Sequence, residues 1–299
     1  MSVSEPGGLL LIDKQRGPTS ADIVRSISRL IGKKNKIGHA GTLDPDATGL
    51  LVILIGGATR LSDHVMQLPK IYRAVIRFGI QTDTYDAMGA VVAEKDASGI
   101  TEENVAAILP KFMGNIMQKP PAYSAVKIAG KRAYDLARQG KLEDLPEREA
   151  IIHELRLELF SNPEVTVYVR CGKGTYLRTL AHDMGHMLGV GAHVKALRRL
   201  GIGSFEPTVN LAELTLENWR ERLVNGAKIF EGQPVFELNA RGALNLRRGI
   251  PIRATDFKTR PVEPAGLLTG VLDEEGNLIA VAKIGIGGTL MDRKILQPL

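Results

Sequence analysis

Residues 38–50 read GHAGTLDPDATGL, a stretch in which glycines, threonines and proline surround a Leu-Asp-Pro step. Glycine and proline each restrict the turns that a chain can form, so this composition predicts a loop with a defined backbone. Pro45 excludes helical geometry at Asp44, whose carboxylate is therefore presented from a rigid, extended turn. A carboxylate held in this way near a histidine, His39, suits a catalytic centre. The alternative is a surface turn with a solvated aspartate.

The rest of the chain predicts a mixed α+β fold whose strands alternate between apolar and polar residues. An apolar run, Leu50–Ile55, follows the loop directly, and Ile71–Gly79 and Val165–Cys171 both alternate. Cys171 lies on the apolar side of its strand, which predicts a packing residue rather than a nucleophile. Ile23–Ile31 has helical spacing after the possible cap residues Thr19 and Ser20. Alternating strands favour an antiparallel or mixed sheet.

Composition limits the classes of protein that this chain can belong to. Its 299 residues are enough for one large domain and one small domain. A net charge of +6 fits a partner that carries phosphates, although charge alone gives no sequence preference. The single cysteine excludes an internal disulfide, and no apolar run approaches the roughly 20 residues of a membrane helix. We therefore expect a cytoplasmic protein without a membrane span.

Two further patterns bear on cofactors. No GxGxxG or GxxxxGK[ST] segment occurs, so a nucleotide cofactor is not expected. His182 and His186 stand four residues apart, with His193 beyond, in a pattern similar to a zinc-binding helix. An aspartate replaces the glutamate of that motif and a glycine interrupts it, which weighs against a zinc hydrolase.

The C-terminal part of the chain is rich in glycine and in short strand-like runs. Leu267–Leu272 and Leu278–Ile284 predict two strands, and Asp273–Asn277 predicts the hairpin turn between them. Leu214–Leu223 predicts a last helix before this region.

The loop at residues 38–50 resembles the catalytic loop of the TruB family of RNA pseudouridine synthases, which convert uridine to pseudouridine in the T loop of tRNA. Further segments follow in the order of that family, namely LLIDK at 10–14, KIYR at 70–73, TDT at 82–84, YSAVK at 123–127, KGTYLR at 173–178, GAH at 191–193 and LRR at 197–199. The resemblance covers about residues 8–225 and weakens beyond them.

The resemblance implies the α+β pseudouridine synthase fold, a mixed and largely antiparallel sheet crossed by the active-site cleft. It implies a catalytic domain over residues 1–235, with an RNA-gripping insertion at about 118–150, and a small PUA-like RNA-binding β-barrel over residues 236–299. The partner is then the T stem-loop of tRNA, and we expect a monomer with no obligate protein partner. Since the isomerisation involves a flipped nucleotide and no net redox change, neither a cofactor nor a metal is expected.

The same resemblance assigns the central residues of the site. Asp44 becomes the essential carboxylate, and Arg178 becomes the cation that holds it. Tyr72 becomes the ring that stacks on the target uracil. Without the family, an exposed residue at a helix start would be the better interpretation of Arg178, and a core tyrosine that of Tyr72.

Further positions receive supporting roles from the resemblance. Tyr176 becomes a second aromatic residue of the pocket, Leu197 its apolar wall and Asp86 a polar group within it. His39 becomes the residue that fills the gap left by the extruded base. A structural histidine and a turn-forming aspartate are the alternatives for His39 and Asp86. The basic residues predicted to contact RNA are Lys14, Lys127, Lys131 and Arg132. A solvated charged face is the alternative for the basic segment at 124–140.

Two other functions remain open at this point. One is a non-catalytic RNA-binding or RNA-folding protein that keeps the scaffold, which the joint presence of Asp44, Tyr72 and Arg178 argues against. The other is a guide-RNA-dependent pseudouridine synthase. The compact N-terminus and short C-terminal region favour the stand-alone bacterial type.

Overall fold

A computed structural model of the protein describes residues 7–122 and 145–296, and between them only the backbone of the strands Lys127–Ile128 and Lys131–Arg132. Most of the predicted insertion at about 118–150 therefore lies outside the described residues. The side chains of Lys127, Lys131 and Arg132 lie outside them as well.

The described elements are short strands and a few helices, as expected for an α+β fold. The strands are β1 (Gly8–Lys14), β2 (Ile37–Ala40), β3 (Thr48–Ile55), β4 (Lys70–Phe78), β5 (Ile80–Thr82), β6 (Val91–Glu94), β7 (Gly114–Gln118), β8 (Lys127–Ile128), β9 (Lys131–Arg132), β10 (Arg148–Ser161), β11 (Glu164–Cys171), β12 (Ala192–Ile202), β13 (Val209–Asn210), β14 (Phe236–Leu238), β15 (Phe257–Thr259), β16 (Leu268–Leu272), β17 (Leu278–Ile284) and β18 (Leu290–Ile295). The α-helices are α1 (Ser20–Ile31), α2 (Ser62–Gln67), α3 (Glu102–Ile108), α4 (Leu177–Met187) and α5 (Ala240–Arg247). No helix of the described residues is long and apolar enough to cross a membrane.

Nine strands form the central sheet, in the order β13–β1–β3–β12–β4–β11–β10–β7, with β2 paired to β3. The pairs β1–β13 and β3–β12 are parallel, and the other pairs of this sheet are antiparallel. The predicted mixed, largely antiparallel sheet is thus confirmed. The parallel pairing of β12 with β3 places Arg198 and Arg199 beside Thr48 and Gly49, where the loop of residues 41–47 ends.

Helix α1 begins and ends where the sequence predicts. Thr19 is its N-cap and accepts a hydrogen bond from the Asp22 amide, while the Asp22 carboxylate accepts one from the Thr19 amide. This reciprocal capping box satisfies two amides that the first turn leaves without helical partners. Gly32 ends the helix at a φ of 89°, a conformation that glycine adopts without steric cost.

The alternating strands β4 and β11 bury one face against α4. Ala74 lies opposite Val167, and both are fully buried in a core that includes Leu180 and Met184 of the helix. Cys171 is a free thiol that is 1% exposed, and burial raises its pKa to about 11. The prediction that Cys171 is a packing residue is confirmed.

The segment Leu214–Leu223 is not a helix, contrary to the sequence-based prediction. It consists of turns in which Thr215 and Asn218 hydrogen-bond to each other through side chains and backbone amides. This pair has the form of the capping box that starts α1, but only isolated turns follow it, with the amides of Trp219 and Arg222 donating to the carbonyls of Thr215 and Asn218. Trp219 is fully buried beside α1, so one large side chain anchors the segment without a continuous apolar stripe.

The C-terminal strands form an open sheet, and the predicted PUA-like barrel is not found. The order is β15–β14–β16–β17–β18, and among the described strands β15 and β18 do not pair with each other. Strand β15 has three residues, as has its neighbour β14, so this edge is too short to curl around and close.

The C-terminal sheet shares an apolar core with the central sheet. Leu278 and Val281 of β17 pack in one cluster with Leu9, Leu54 and Leu61. The core is therefore continuous across the predicted boundary at residues 235 and 236. A second contact lies at the end of β18, where the Leu296 carbonyl passes closely over Gly57 in a 3₁₀ helix, Gly56–Leu61.

We expect Gly57→Ala to destabilise the protein because an added Cβ would lie 1.7 Å from the Leu296 carbonyl oxygen. Overpacking of this kind costs about 1–3 kcal/mol, and each kcal/mol lowers Tm by roughly 2–4 °C in a chain of this size. Thermal unfolding measures the change. The matched control is Gly99→Ala, since a Cβ there meets no atom within 4 Å. Equal Tm values for the two variants would contradict the shared core.

Candidate active site

The loop that carries Asp44 is fixed by its own turn and by α1. The Ala47 amide donates to the Asp44 carbonyl over 3.1 Å, which closes a turn around Pro45. Ser20, in the first turn of α1, both accepts from the Leu43 amide (2.9 Å) and donates to the Leu43 carbonyl (3.1 Å). Both the amide and the carbonyl of Leu43 are therefore hydrogen-bonded, so the backbone that carries the Asp44 carboxylate is held rigidly.

Lys14 holds the other side of this loop from inside the protein. It is fully buried, and its ammonium group donates to the carbonyls of Pro45 (2.9 Å), Ala47 (2.7 Å) and Gln15 (3.0 Å). Burial lowers the pKa of Lys14, and the carboxylates of Asp44 and Asp46 act in the opposite direction. The predicted role of Lys14 as an RNA contact differs from this placement, because all its described hydrogen bonds go to backbone carbonyls.

Arg199 clamps the two ends of the same loop. It is 1% exposed, and its guanidinium donates to the carbonyls of Leu50 (2.7 Å), Gly41 (3.0 Å) and Thr42 (3.4 Å). Gly49 makes this approach possible, since a Cβ there would lie 2.1 Å from the Arg199 carbonyl oxygen, and its φ is 99°. The sequence analysis gave Arg199 only as part of the LRR segment at 197–199 and missed this role.

Asp44 and Arg178 meet at the mouth of the site. The Arg178 Nε lies 3.2 Å from Asp44 Oδ2, and its Nη1 lies 3.4 Å from Asp86 Oδ2. The same Nη1 donates to the Thr84 carbonyl over 3.2 Å. The Arg178 side chain is 9% exposed, whereas that of Asp44 is 43% exposed. Arg178 is thus held from within while the carboxylate it orients faces solvent.

A small pocket brings four of the predicted site residues together. Asp44, Asp86, Arg178 and Leu197 all line it, and its volume of about 20 Å³ holds about one water molecule. A pyrimidine base can enter only if the walls move apart. The remaining lining residues are Asp46, Ala47, Val194, Lys195 and Ala196.

Tyr72 lies next to this pocket on the same face of the central sheet as Leu197. In the pairing of β4 with β12, Tyr72 is directly opposite Arg199, and Ala74 is opposite Leu197. Directly opposite residues share a face, with Cβ atoms about 4.5–5.5 Å apart. Burial raises the pKa of the half-buried Tyr72 phenol, and the neighbouring Arg199 acts against this rise. The phenol is therefore neutral and able to donate a hydrogen bond.

Tyr176 is held by a side chain that the sequence analysis did not single out. The Gln118 carboxamide accepts from the Tyr176 amide (3.0 Å) and donates to the Tyr176 carbonyl (3.3 Å), and Gln118 is 2% exposed. Tyr176 is the N-cap of α4, so this pair of hydrogen bonds fixes the start of the helix that carries Arg178. Gln118 ends β7, four residues before the described range ends at residue 122.

His39 is placed away from the Asp44 pocket. It lies in β2, opposite Ile53 of β3, and is half-buried, but it is not part of the pocket lining. The two histidines of the zinc-like pattern, His182 and His186, have ring centroids 6.4 Å apart. His182 contacts Gln81 and Asp183. No group of three or more His, Cys, Asp or Glu side chains within the described residues is arranged to hold a metal.

Comparison with known proteins identifies the family. The model for the TruB family pseudouridylate synthase N-terminal domain matches residues 29–177. The model for the tRNA pseudouridylate synthase B C-terminal domain matches residues 178–230. A tRNA pseudouridine synthase B from Clostridium perfringens is 35% identical over 293 residues, which cover 97% of this chain and 99% of the relative. A protein of the same name from Geotalea uraniireducens is 38% identical over 98% of this chain and 95% of its own length. One from Symbiobacterium thermophilum is 42% identical over 83% of this chain and 84% of its own length.

Solved structures agree on the fold. A chain of a Cbf5-Nop10-Gar1 complex matches 97% of this chain with a TM-score of 0.74 at 23% identity, over 85% of its own length. A chain of an archaeal box H/ACA sRNP Nop10-Cbf5 complex matches 97% with a TM-score of 0.72 at 22% identity, over 86% of its own length.

The fold and the site together define a pseudouridine synthase. The chain belongs to the TruB family, since it matches both family models and relatives of 35–42% identity over most of its length. It is accordingly an RNA pseudouridine synthase, an isomerase.

We expect Arg199→Gln to lower both stability and turnover. The change removes the donor to the buried Leu50 carbonyl and to the partly buried carbonyls of Gly41 and Thr42, and a buried acceptor left without a donor costs about 1–3 kcal/mol. Thermal unfolding and single-turnover assays measure the two effects. The adjacent Arg198 is the matched control because it pairs with Asp13 near the surface, with a side chain 39% exposed. We expect Arg198→Gln to cost less than about 1 kcal/mol, and equal losses at both positions would contradict the clamp.

Proposed function

We propose that this chain converts the uridine at position 55 in the T loop of tRNA to pseudouridine, with Asp44 as the essential carboxylate. The observation that carries the proposal is the pairing of Asp44 with Arg178 over 3.2 Å in a pocket that Leu197 also lines. Relatives of 35–42% identity named tRNA pseudouridine synthase B support tRNA as the substrate.

The reaction needs a group that can bear negative charge at the nucleotide and a cation that keeps this group in place. The bond between the sugar and the uracil nitrogen breaks, and a bond between the sugar and a ring carbon forms. A proton leaves that carbon and one joins the nitrogen, so the atoms balance within one nucleotide. Asp44 supplies the carboxylate for the bond-breaking step, and Arg178 aims it.

The base itself would be held between the sheet and the pocket wall. Tyr72 offers a ring at the cleft face, and Leu197 offers an apolar contact two strand positions from Arg199. Aromatic stacking is worth about 1–3 kcal/mol per base. Because the pocket as it stands has room for about one water molecule, the flipped base must displace the side chains around it.

We further propose that the enzyme acts alone, as a monomer in the cytoplasm. The similar solved structures are a Cbf5-Nop10-Gar1 complex and a Nop10-Cbf5 complex, but the matching chains are 22–23% identical to this one and share its fold. A guide-dependent mode is therefore the second candidate. Purified protein and unmodified tRNA transcript, with no other protein or RNA, distinguish the two, because a guide-dependent enzyme leaves the transcript unmodified.

We expect Asp44→Asn to abolish pseudouridine formation while tRNA affinity stays within about twofold. Asparagine keeps the size and accepts hydrogen bonds from Arg178, but it lacks the charge that the chemistry needs. Phosphate contacts from basic residues supply most of the affinity. Mass spectrometry of the tRNA product and a filter-binding titration measure the two quantities.

The matched control for this variant is Asp46→Asn. Asp46 lies in the same turn and forms an ion pair with the exposed Arg16, and we expect its loss to reduce turnover by less than about fivefold. Substantial product from the Asp44→Asn enzyme would reject the catalytic assignment and favour the RNA-binding interpretation.

We expect Tyr72→Leu to lose far more turnover than Tyr72→Phe. Phenylalanine keeps the ring that stacks on the base, whereas leucine removes both ring and phenol, and the lost stacking alone is worth about 1–3 kcal/mol. Single-turnover rates at saturating tRNA give the comparison. If the leucine variant turns over at the wild-type rate, Tyr72 serves as a packing residue alone.

A further inference from the structure

The loop between β5 and β6 contains a residue in an unusual backbone conformation. Tyr85 has a φ of 61°, and among the non-glycine residues that the structure describes it shares a positive φ with Asp292 alone. Side chains with a Cβ rarely adopt this left-handed conformation, and in a folded protein it persists only when surrounding contacts impose it. Strain of this kind occurs preferentially at functional sites.

The conformation of Tyr85 directs both of its neighbours at Arg178. The Thr84 carbonyl accepts from Arg178 Nη1 over 3.2 Å, and the Asp86 carboxylate lies 3.4 Å from the same atom. Because a left-handed residue reverses the local chain direction, the groups before and after it face the same side. An extended or right-handed Tyr85 would turn one of these two groups away from the guanidinium.

Several further hydrogen bonds hold the loop in this position, among them those from the Thr82 hydroxyl to the Asp86 carbonyl (2.7 Å) and from the Met88 amide to Asp86 Oδ1 (3.0 Å). The Val194 amide donates to the Tyr85 carbonyl over 3.0 Å, and the Ala87 amide donates to the Val194 carbonyl over 3.0 Å. These bonds attach the loop to β12 on both sides of Asp86. The Thr84 hydroxyl also donates to Asp86 Oδ1 over 2.6 Å, which leaves Oδ2 directed at Arg178.

The ring of Tyr85 makes a stacking contact with α4. It stacks on His182 with ring centroids 4.1 Å apart and planes 26° from parallel. Both nitrogens of the imidazole have partners, since Gln81 Nε2 lies 3.3 Å from His182 Nε2 and Asp183 Oδ1 lies 3.0 Å from Nδ1. The histidine ring therefore has a fixed orientation on which the tyrosine can pack.

Helix α4 connects the two halves of this arrangement. Arg178 and His182 are four residues apart, so their side chains lie on one face of the helix, one turn from each other. The ring of Tyr85 thus rests on the second turn while its neighbours bond to the guanidinium in the first. Neither a positive φ at Tyr85 nor the stacked ring pair can be predicted from the amino-acid sequence.

We propose that Tyr85 is a positioning residue for the isomerisation, acting through Arg178 on Asp44. Its stack on His182 maintains the left-handed backbone that holds Arg178 in place, and Arg178 then orients the carboxylate. This inference rests on the proposed roles of Asp44 and Arg178.

The test compares three substitutions at Tyr85 by their effects on kcat and KM with tRNA. Tyr85→Phe keeps the ring and should retain kcat. Tyr85→Ala loses the ring but keeps a Cβ that disfavours a positive φ, and kcat should fall about ten- to hundredfold, as misplacement of a catalytic group does. Tyr85→Gly also loses the ring but adopts a positive φ freely, so its kcat should lie between those of the other two. KM should change less than about threefold, because the phosphate contacts remain.

A double-mutant cycle tests the stack itself. If Tyr85 acts through His182, the double variant Tyr85→Ala/His182→Ala should lose no more kcat than the worse single variant. Tyr168→Ala is the matched control for loss of an aromatic contact, since Tyr168 packs under Arg156 with its ring 4.0 Å from the guanidinium, on the opposite side of the sheet from the pocket. Its kcat should equal that of the unaltered enzyme.

Three outcomes overturn the inference. These are an alanine variant that keeps kcat within about twofold, a loss confined to KM, or a glycine variant no better than alanine. The Asp44→Asn enzyme is assayed in parallel. If it is inactive while Tyr85→Ala is fully active, the inference about Tyr85 alone fails. If it is active, the proposed roles of Asp44 and Arg178 fail, and the inference about Tyr85 fails with them.

Discussion

The site depends on hydrogen bonds from two buried cations to the backbone around the loop that carries Asp44. Leu43 and Ala47 of this loop are buried, and a buried carbonyl without a donor costs about 1–3 kcal/mol. Arg199 and Lys14 solve this by donating to carbonyls at the ends and middle of the loop. Each cation in turn loses its hydration, and the carbonyl oxygens replace that water. The loop and the two cations can therefore be buried only together.

This arrangement concentrates positive charge around Arg199. Arg199, Lys14 and Lys70 are all buried, and burial together with Arg199 and Lys173 lowers the pKa of Lys70 to about 8. Such crowding of like charge does not favour stability by itself. Its consequence is a positive potential near the Asp44 loop, which suits an enzyme whose substrate is an RNA polyanion.

The parts of the fold that the sequence predicts well are those determined by neighbouring residues. The cap at Thr19, the end of α1 at Gly32 and the apolar face of β11 follow from local spacing alone. The pairing of Asp44 with Arg178, 134 positions later in the sequence, was expected through the family motifs and not through any local pattern. The failures also have physical reasons. Leu214–Leu223 has helical spacing and a capping pair at Thr215 and Asn218, yet it forms only turns, with Trp219 buried beside α1.

Adjacent residues with the same chemistry show most clearly what sequence alone leaves out. Arg198 and Arg199 are identical in type, yet Arg198 pairs with Asp13 near the surface and Arg199 is buried under the loop. Alternation along β12 separates them, but which of the two points inward depends on the register with β4. That register shifts between Val194 and Ala196 and again between Arg199 and Gly201, so it cannot be counted from either end of the strand.

The register has a direct consequence for catalysis, because it places Arg199 opposite Tyr72. One guanidinium therefore borders the ring proposed to stack on the base and also clamps the loop that carries Asp44. Arg178 approaches the same carboxylate from α4, where Gln118 fixes the helix start and the Tyr85 loop braces the guanidinium. Each of these contacts joins segments distant in the chain. The carboxylate is thus positioned by the folded sheet as a whole, and its geometry forms only when β4, β12 and α4 have packed together.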